Sequence, residues 1–186
     1  MIAVAIDESV DDVRPWVDGI TFPVLIDRQH LLTELYAISN VPTVVWIDED
    51  DRIVRPNSVA FGTNMFQEFT GVDADPGLAA IRAWVRDGTL SISEEDARAA
   101  VPDLSDDEVR ARLHFRIATE ARRRGDDETA RRHFVRAGEL APTDFTIRRA
   151  AMPLMGEDPF GEDFFGLYQE WQAAGSPFHG LEPLES

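Results

Sequence analysis

The chain opens on Met1-Ile-Ala-Val-Ala-Ile6, an uninterrupted apolar run. Such a run suits a strand buried on both faces, the situation of a parallel strand between helical layers. A second run of this kind, Val41-Pro-Thr-Val-Val-Trp-Ile-Asp48, follows a segment of helical periodicity. Together they commit the first half to an α/β fold. Asp7-Glu8-Ser9 supplies a cap for a helix over Val10–Asp18, with Val10, Val13, Trp16 and Val17 on one side. A short strand is expected at Phe22–Asp27. An amphipathic helix is expected at Gln29–Ile38, with Leu31, Leu32, Leu35 and Tyr36 facing inward. The polar run Glu49-Asp50-Asp51 turns the chain into a further strand at Arg52–Arg55. A looser stretch with Pro56, Gly62 and Gly71 leads to a helix at Pro76–Asp87, whose stripe is Leu78, Ile81, Trp84 and Val85.

Beyond a linker at Gly88–Ser93 the alternation stops, and the pattern is helix and loop. This sets a domain boundary near residue 90: an α/β domain over 1–90 and an α-helical region over 91–186. A short helix is expected at Glu94–Ala100. Ser105-Asp-Asp-Glu108 has the form of a capping box opening a helix to Arg124, with Gly125 as its stop. A partner helix runs over Asp127–Leu140, and others over Phe145–Met152 and Asp163–Ala174. Gly125, Ala130, Phe134, Ala137 and Pro142 have the spacing of one tetratricopeptide-like unit. A single unit predicts one helical hairpin packed on a body, because arrays of such repeats need about three units.

Composition narrows the function classes. Among 186 residues there are 35 Asp and Glu against 18 basic residues, for a net charge of −17, and every basic residue is arginine. That charge opposes binding to nucleic acid and to anionic membranes. The arginines gather in residues 108–150, where 11 face seven acidic residues, which reads as a basic helical pair docked against an acidic body. No apolar stretch approaches the roughly 18 residues of a membrane span, and no signal peptide pattern opens the chain, so a cytoplasmic protein is expected. There is no cysteine. Disulfides, thiolate ligands and a cysteine nucleophile are therefore excluded within this sequence.

The order of elements carries a resemblance. A buried strand, a helix, Phe22-Pro-Val-Leu-Ile-Asp27, a helix ending in Tyr36, then Val41-Pro42-Thr43 leading to Trp46-Ile47-Asp48 and a hairpin through Asp50–Ile53 resemble the thioredoxin-like thiol–disulfide oxidoreductases of the TlpA/ResA type, over about residues 1–87. The resemblance implies a thioredoxin-like fold, with Pro42 as a cis-proline beside the redox site and Val41, Pro42 and Thr43 as the substrate groove. Local sequence leaves cis and trans equally open at Pro42, since a proline also opens a strand harmlessly in trans. The family comparison favours cis.

The departure from that family is as plain as the likeness. The family's first strand and its Trp-Cys-x-x-Cys helix have no counterpart. The strand order of the fold, second-first-third-fourth, then leaves Met1–Ile6 and Thr43–Asp48 facing a gap, and such unpaired edges favour self-association. Met1 is expected to be an internal methionine of a longer reading frame that holds a Cys-x-x-Cys or a selenocysteine codon; the competing reading is a genuine fragment with another pairing or a partner. Two functions are therefore open. One is a redox protein, for disulfide or peroxide substrates, that is catalytically incomplete as given. The other is a non-catalytic module that binds a protein or peptide through the Pro42 groove and the helical hairpin. No cofactor is expected. His30, His114, His133 and His179 lack metal-ligand spacing. Gly-Glu-Asp at 156–158 and 161–163 reads as helix-capping sequence, and Phe164, Phe165, Tyr168 and Trp171 as the stripe that docks the last helix.

Overall fold

The computed structural model describes residues 1–184, and of Phe66, Phe69 and Thr70 the backbone alone. The last two residues of the expected helical region thus lie outside the described residues. The protein is mixed α/β, in two compact units that interleave along the chain: residues 1–35 with 104–177, and residues 36–103 with 178–186. The boundary expected near residue 90 falls inside the second of these.

The first unit begins with β1 (Ala3–Ala5), which pairs in parallel with β2 (Val24–Ile26), Ala3 opposite Val24 and Ala5 opposite Ile26. Between them the helix expected over nine residues is only α1 (Val10–Val13), continued by a 3-10 turn at Arg14–Trp16. Ser9 caps it as expected, its hydroxyl accepting from the Asp11 amide. Pro15 has no N–H to continue the α-helical ladder, and the turn tightens there. Of the expected apolar side only Val13 is buried, while Trp16 is 82% exposed.

The next helix, α2 (Leu31–Leu35), is also shorter than its periodicity suggests. The Asp27 carboxylate accepts from the amides of Leu31, Leu32 and Thr33 and fixes its start. Its buried residues are Thr33 and Glu34, whereas Leu31 and Leu35 are exposed. The inward face is thus rotated from the one expected.

Four helices complete this unit: α6 (Asp106–Arg123), α7 (Asp127–Leu140), α8 (Phe145–Leu154) and α9 (Glu162–Ala173). Ser105 and Glu108 form the expected capping box. Gly125 takes φ +79°, the left-handed turn that lets the chain double back. The core between α6, α7 and α8 is built from small residues around two rings. Ala111, Ala118, Ala130 and Ala137 let the helices approach, and Phe115 meets Phe134 edge-on at 5.4 Å. A second cluster joins Phe145 and Met152 of α8 to Leu167, Phe164 and Trp171 of α9, so two members of the expected stripe dock the last helix, while Phe165 is 58% exposed.

The second unit holds β3 (Thr43–Ile47) and β4 (Ile53–Val59), an antiparallel pair. Asp48 accepts from the amides of Asp50 and Arg52, closing the turn between them. The second strand runs through Pro56, past the expected end at Arg55. Register explains why: Val44 faces Ser58 and Trp46 faces Arg55, so β4 bulges by one residue at Pro56–Asn57. A bulge leaves a residue out of the ladder, and a proline fits there without loss. After a short 3-10 turn at Asn64–Phe66 come α3 (Gln67–Thr70), α4 (Ala74–Asp87) and α5 (Glu94–Ala99). Among the described residues, β1 pairs with β2 alone and β3 with β4 as strands, making two separate two-stranded sheets.

Candidate functional site

Val41, Pro42 and Thr43 come together at the entry to β3. Thr43 donates its hydroxyl to the Asn40 carbonyl at 2.7 Å, and the Ala60 amide donates to the Pro42 carbonyl at 3.2 Å. These two bonds hold the loop on either side of Val41. The Val41–Pro42 peptide bond is cis. Val41 and Pro42 are exposed and Thr43 half-buried. Among the described residues no hydrogen bond reaches the N–H or C=O of Val41. An exposed main-chain donor and acceptor next to a strand is a place where an extended chain can pair.

The partner strand β4 holds a residue that sequence reasoning passed over. Asn57, buried in the bulge of β4, donates to the carbonyl of Ala37 at 3.0 Å and to that of His179 at 2.7 Å. Its own carbonyl accepts from the Leu181 amide at 2.8 Å, and Gly180 donates to the Ala100 carbonyl at 2.9 Å. Ser58 and Leu181 form a parallel bridge, so the segment around 179–181 lies along β4. A side chain on Gly180 would place its Cβ 2.5 Å from the Asn57 carbonyl oxygen, which explains the glycine. The available signal was an asparagine inside a Val/Ile-rich stretch; Pro56 beside it suggested loop and concealed the strand.

In the first unit the chemistry-bearing side chains are largely tied up with one another, although Arg112 Nε and Gln29 Oε1 are buried without a hydrogen bond among the described residues. The Glu34 carboxylate accepts from Arg116 at 2.7 and 3.2 Å. Arg112 donates to the Glu34 main-chain carbonyl at 2.9 Å and to the Asp144 carboxylate at 3.1 Å. Arginines of the basic helical pair are matched by acids: Arg122 by Glu8, Arg123 and Arg124 by Glu120, Arg131 by Glu157, and Arg132 by Glu128. His114 and His133 meet Nδ1 to Nδ1 at 2.8 Å, so one ring must donate and the other accept. Burial pushes the pKa of His114 down, and the His133 ring and Arg136 push it the same way. Burial also lowers His30, with Arg122 in the same direction and Asp27 and Glu8 opposing. Among the described residues no group of three or more His, Cys, Asp or Glu side chains is placed to hold a metal ion, and no helix is long and apolar enough to cross a membrane.

No protein-family model matches the chain, and neither a curated protein nor a solved structure does.

Proposed function

We propose that the chain is a thioredoxin-like protein of the TlpA/ResA type, and that Val41, Pro42 and Thr43 form the groove in which an extended polypeptide lies. The observation that carries the reading is Val41, an exposed residue whose N–H and C=O bond nothing among the described residues while the bonds at Thr43 and Pro42 hold the loop around it. The order of elements supports it: strand, helix, strand, helix, then an antiparallel hairpin entered through Val-Pro-Thr. Thiol–disulfide exchange proceeds through a mixed disulfide, which requires a thiolate or its selenium counterpart. With no cysteine in the sequence, these residues bind and orient a substrate chain and leave the redox step to a group supplied from elsewhere. Cytoplasmic residence belongs to the same reading. A second reading, a binding module with no redox role, rests on the same main-chain site and the absence of cysteine.

The test has two arms. The purified chain should reduce neither insulin disulfides nor peroxide above a buffer blank; turnover with metals and contaminants excluded would overturn the assignment of roles. In amide NMR, adding an unfolded polypeptide such as reduced, alkylated insulin B chain should shift Val41, Thr43 and Ala60 saturably. Shifts confined to other residues would remove the groove.

A further inference from the structure

The two most buried arginines among the described residues differ in how their charge is met. Arg112, 6% exposed, has the Asp144 carboxylate at 3.1 Å, with Glu34 beside it. Arg55, 3% exposed, has no carboxylate within ion-pairing distance among the described residues. Among the described residues its guanidinium makes one hydrogen bond, a long one of 3.4 Å to the Ser91 hydroxyl. On its other side the guanidinium carbon lies 5.6 Å from the centroid of the Trp46 ring, its cross-strand neighbour. Trp46 in turn stacks on Trp84 at 5.1 Å. An arginine does not shed its proton to escape burial, and a buried cation without a counter-ion is costly. The chain carries 35 acidic residues, and among the described residues none of them pairs with Arg55. A methionine would fill the same space against Trp46 without the cost.

We propose that Arg55, Ser91 and the face of Trp46 form a binding site for the carboxylate of a small monoanionic ligand. The site stands independently of the groove at Pro42. The guanidinium presents a planar fork that matches a carboxylate with two parallel hydrogen bonds. Ser91 is exposed, in the bend between α4 and α5, so the bonded end of the guanidinium lies one hydroxyl away from water. A carboxylate entering there replaces the long Ser91 contact, and the hydroxyl turns to donate to the same ligand. Trp46 gives an apolar wall. Two features select a single charge over a phosphate dianion: the net charge of −17, and the acidic first turn of α5, Glu94, Glu95 and Asp96, a few residues from Ser91.

The test uses the full chain and sodium acetate as probe, against sodium chloride and sodium phosphate at equal ionic strength. Acetate should change tryptophan emission and raise the melting temperature saturably, and phosphate should do neither beyond the chloride control. Arg55→Met should abolish the response and melt no lower than the wild type in chloride. Ser91→Ala should weaken it several-fold. Should Arg55→Met fail to fold, Arg55→Lys decides, because it keeps the charge and loses the fork: a lost response supports the site, an undiminished one overturns it. Equal responses in wild type and Arg55→Met, no response in either, or a response to phosphate as large as that to acetate would each overturn the proposal.

Discussion

Glu34 shows how one side chain can reverse the reading of a helix. The sequence around it offers Leu31, Leu32, Leu35 and Tyr36 as an apolar stripe, which leaves Glu34 for solvent. In the structure its carboxylate is buried and held by Arg116, while its carbonyl takes a hydrogen from Arg112. The partners lie 78 and 82 residues away in sequence, so no local pattern could have announced them. Removing the partner of a buried charge leaves that charge uncompensated, whereas removing the buried charge itself leaves an exposed partner that water solvates. Arg116→Ala, which leaves the Glu34 carboxylate buried without its partner, should therefore destabilise by about 3 kcal/mol, and Glu34→Gln, which leaves an Arg116 side chain that is 46% exposed, by about 1 kcal/mol or less. Urea unfolding followed by circular dichroism checks both; equal costs would mean that the pair is not the anchor.

The histidine pair is a second residue-scale feature with a measurable consequence. One protonation leaves a donor and an acceptor at the 2.8 Å contact; a second removes the acceptor. Because the His114 pKa is lowered on folding from its ordinary 6.5, its contribution to stability is present above that value and is lost as pH falls through the folded value. His30 is shifted in the same direction, so it adds to the same slope. Glu120, held at about 2 by its hydrogen bonds to Arg123 and Arg124, stays ionised throughout and does not contribute. The melting temperature should fall as pH drops from 7.5 to 5, and less steeply in His114→Gln, which keeps a hydrogen-bonding side chain. An unchanged slope would assign the effect elsewhere.

Among elements, legibility follows the range of the forces that set each boundary. The ends of α6 and α7 were readable because caps act within one turn: Ser105 with Glu108, Gly125, and Asp126 accepting from Thr129. The alanine and phenylalanine spacing that suggested a close helical hairpin is the spacing that the core uses. The strands and short helices were readable in kind and not in extent. Pairing with a distant partner decides how far β4 runs, and the bulge at Pro56–Asn57 turned an apparent breaker into strand. That misreading also hid Asn57, whereas Val41, Pro42 and Thr43 were named through the resemblance that the Val-Pro-Thr segment carries. At this scale Ser105→Ala should cost about 1 kcal/mol by removing the cap. Phe134→Ala, which empties the ring contact at the centre of the hairpin, should cost about 3–5 kcal/mol. A ranking in the opposite order, read from urea midpoints at constant slope, would place the stability of this unit outside the helical core.

For the whole molecule, the balance between what is buried and what is left open points to self-association. In the first unit Met1, Ile2, Trp16, Leu25, Leu31 and Leu35 are each more than two-fifths exposed, and four of these flank or lie in β1, β2 and α2. Scattered single apolar residues on a surface mean nothing, but several beside a strand with one unpaired edge favour contact with another chain. Among the described residues β1 has one strand neighbour, so its other edge keeps main-chain donors and acceptors available. The net charge of −17 opposes association through repulsion between copies, and salt weakens that repulsion without weakening apolar contact. Light scattering coupled to sizing chromatography should then give the monomer mass of 20.8 kDa at low protein and low salt. The mean mass should rise with protein concentration, and at fixed concentration it should rise with added sodium chloride. Ile2→Lys, which places charge beside the open edge of β1, should hold the chain monomeric under both conditions. A mass that stays at the monomer value whatever the salt, or an Ile2→Lys variant that associates as readily as the wild type, would show that this face closes on itself.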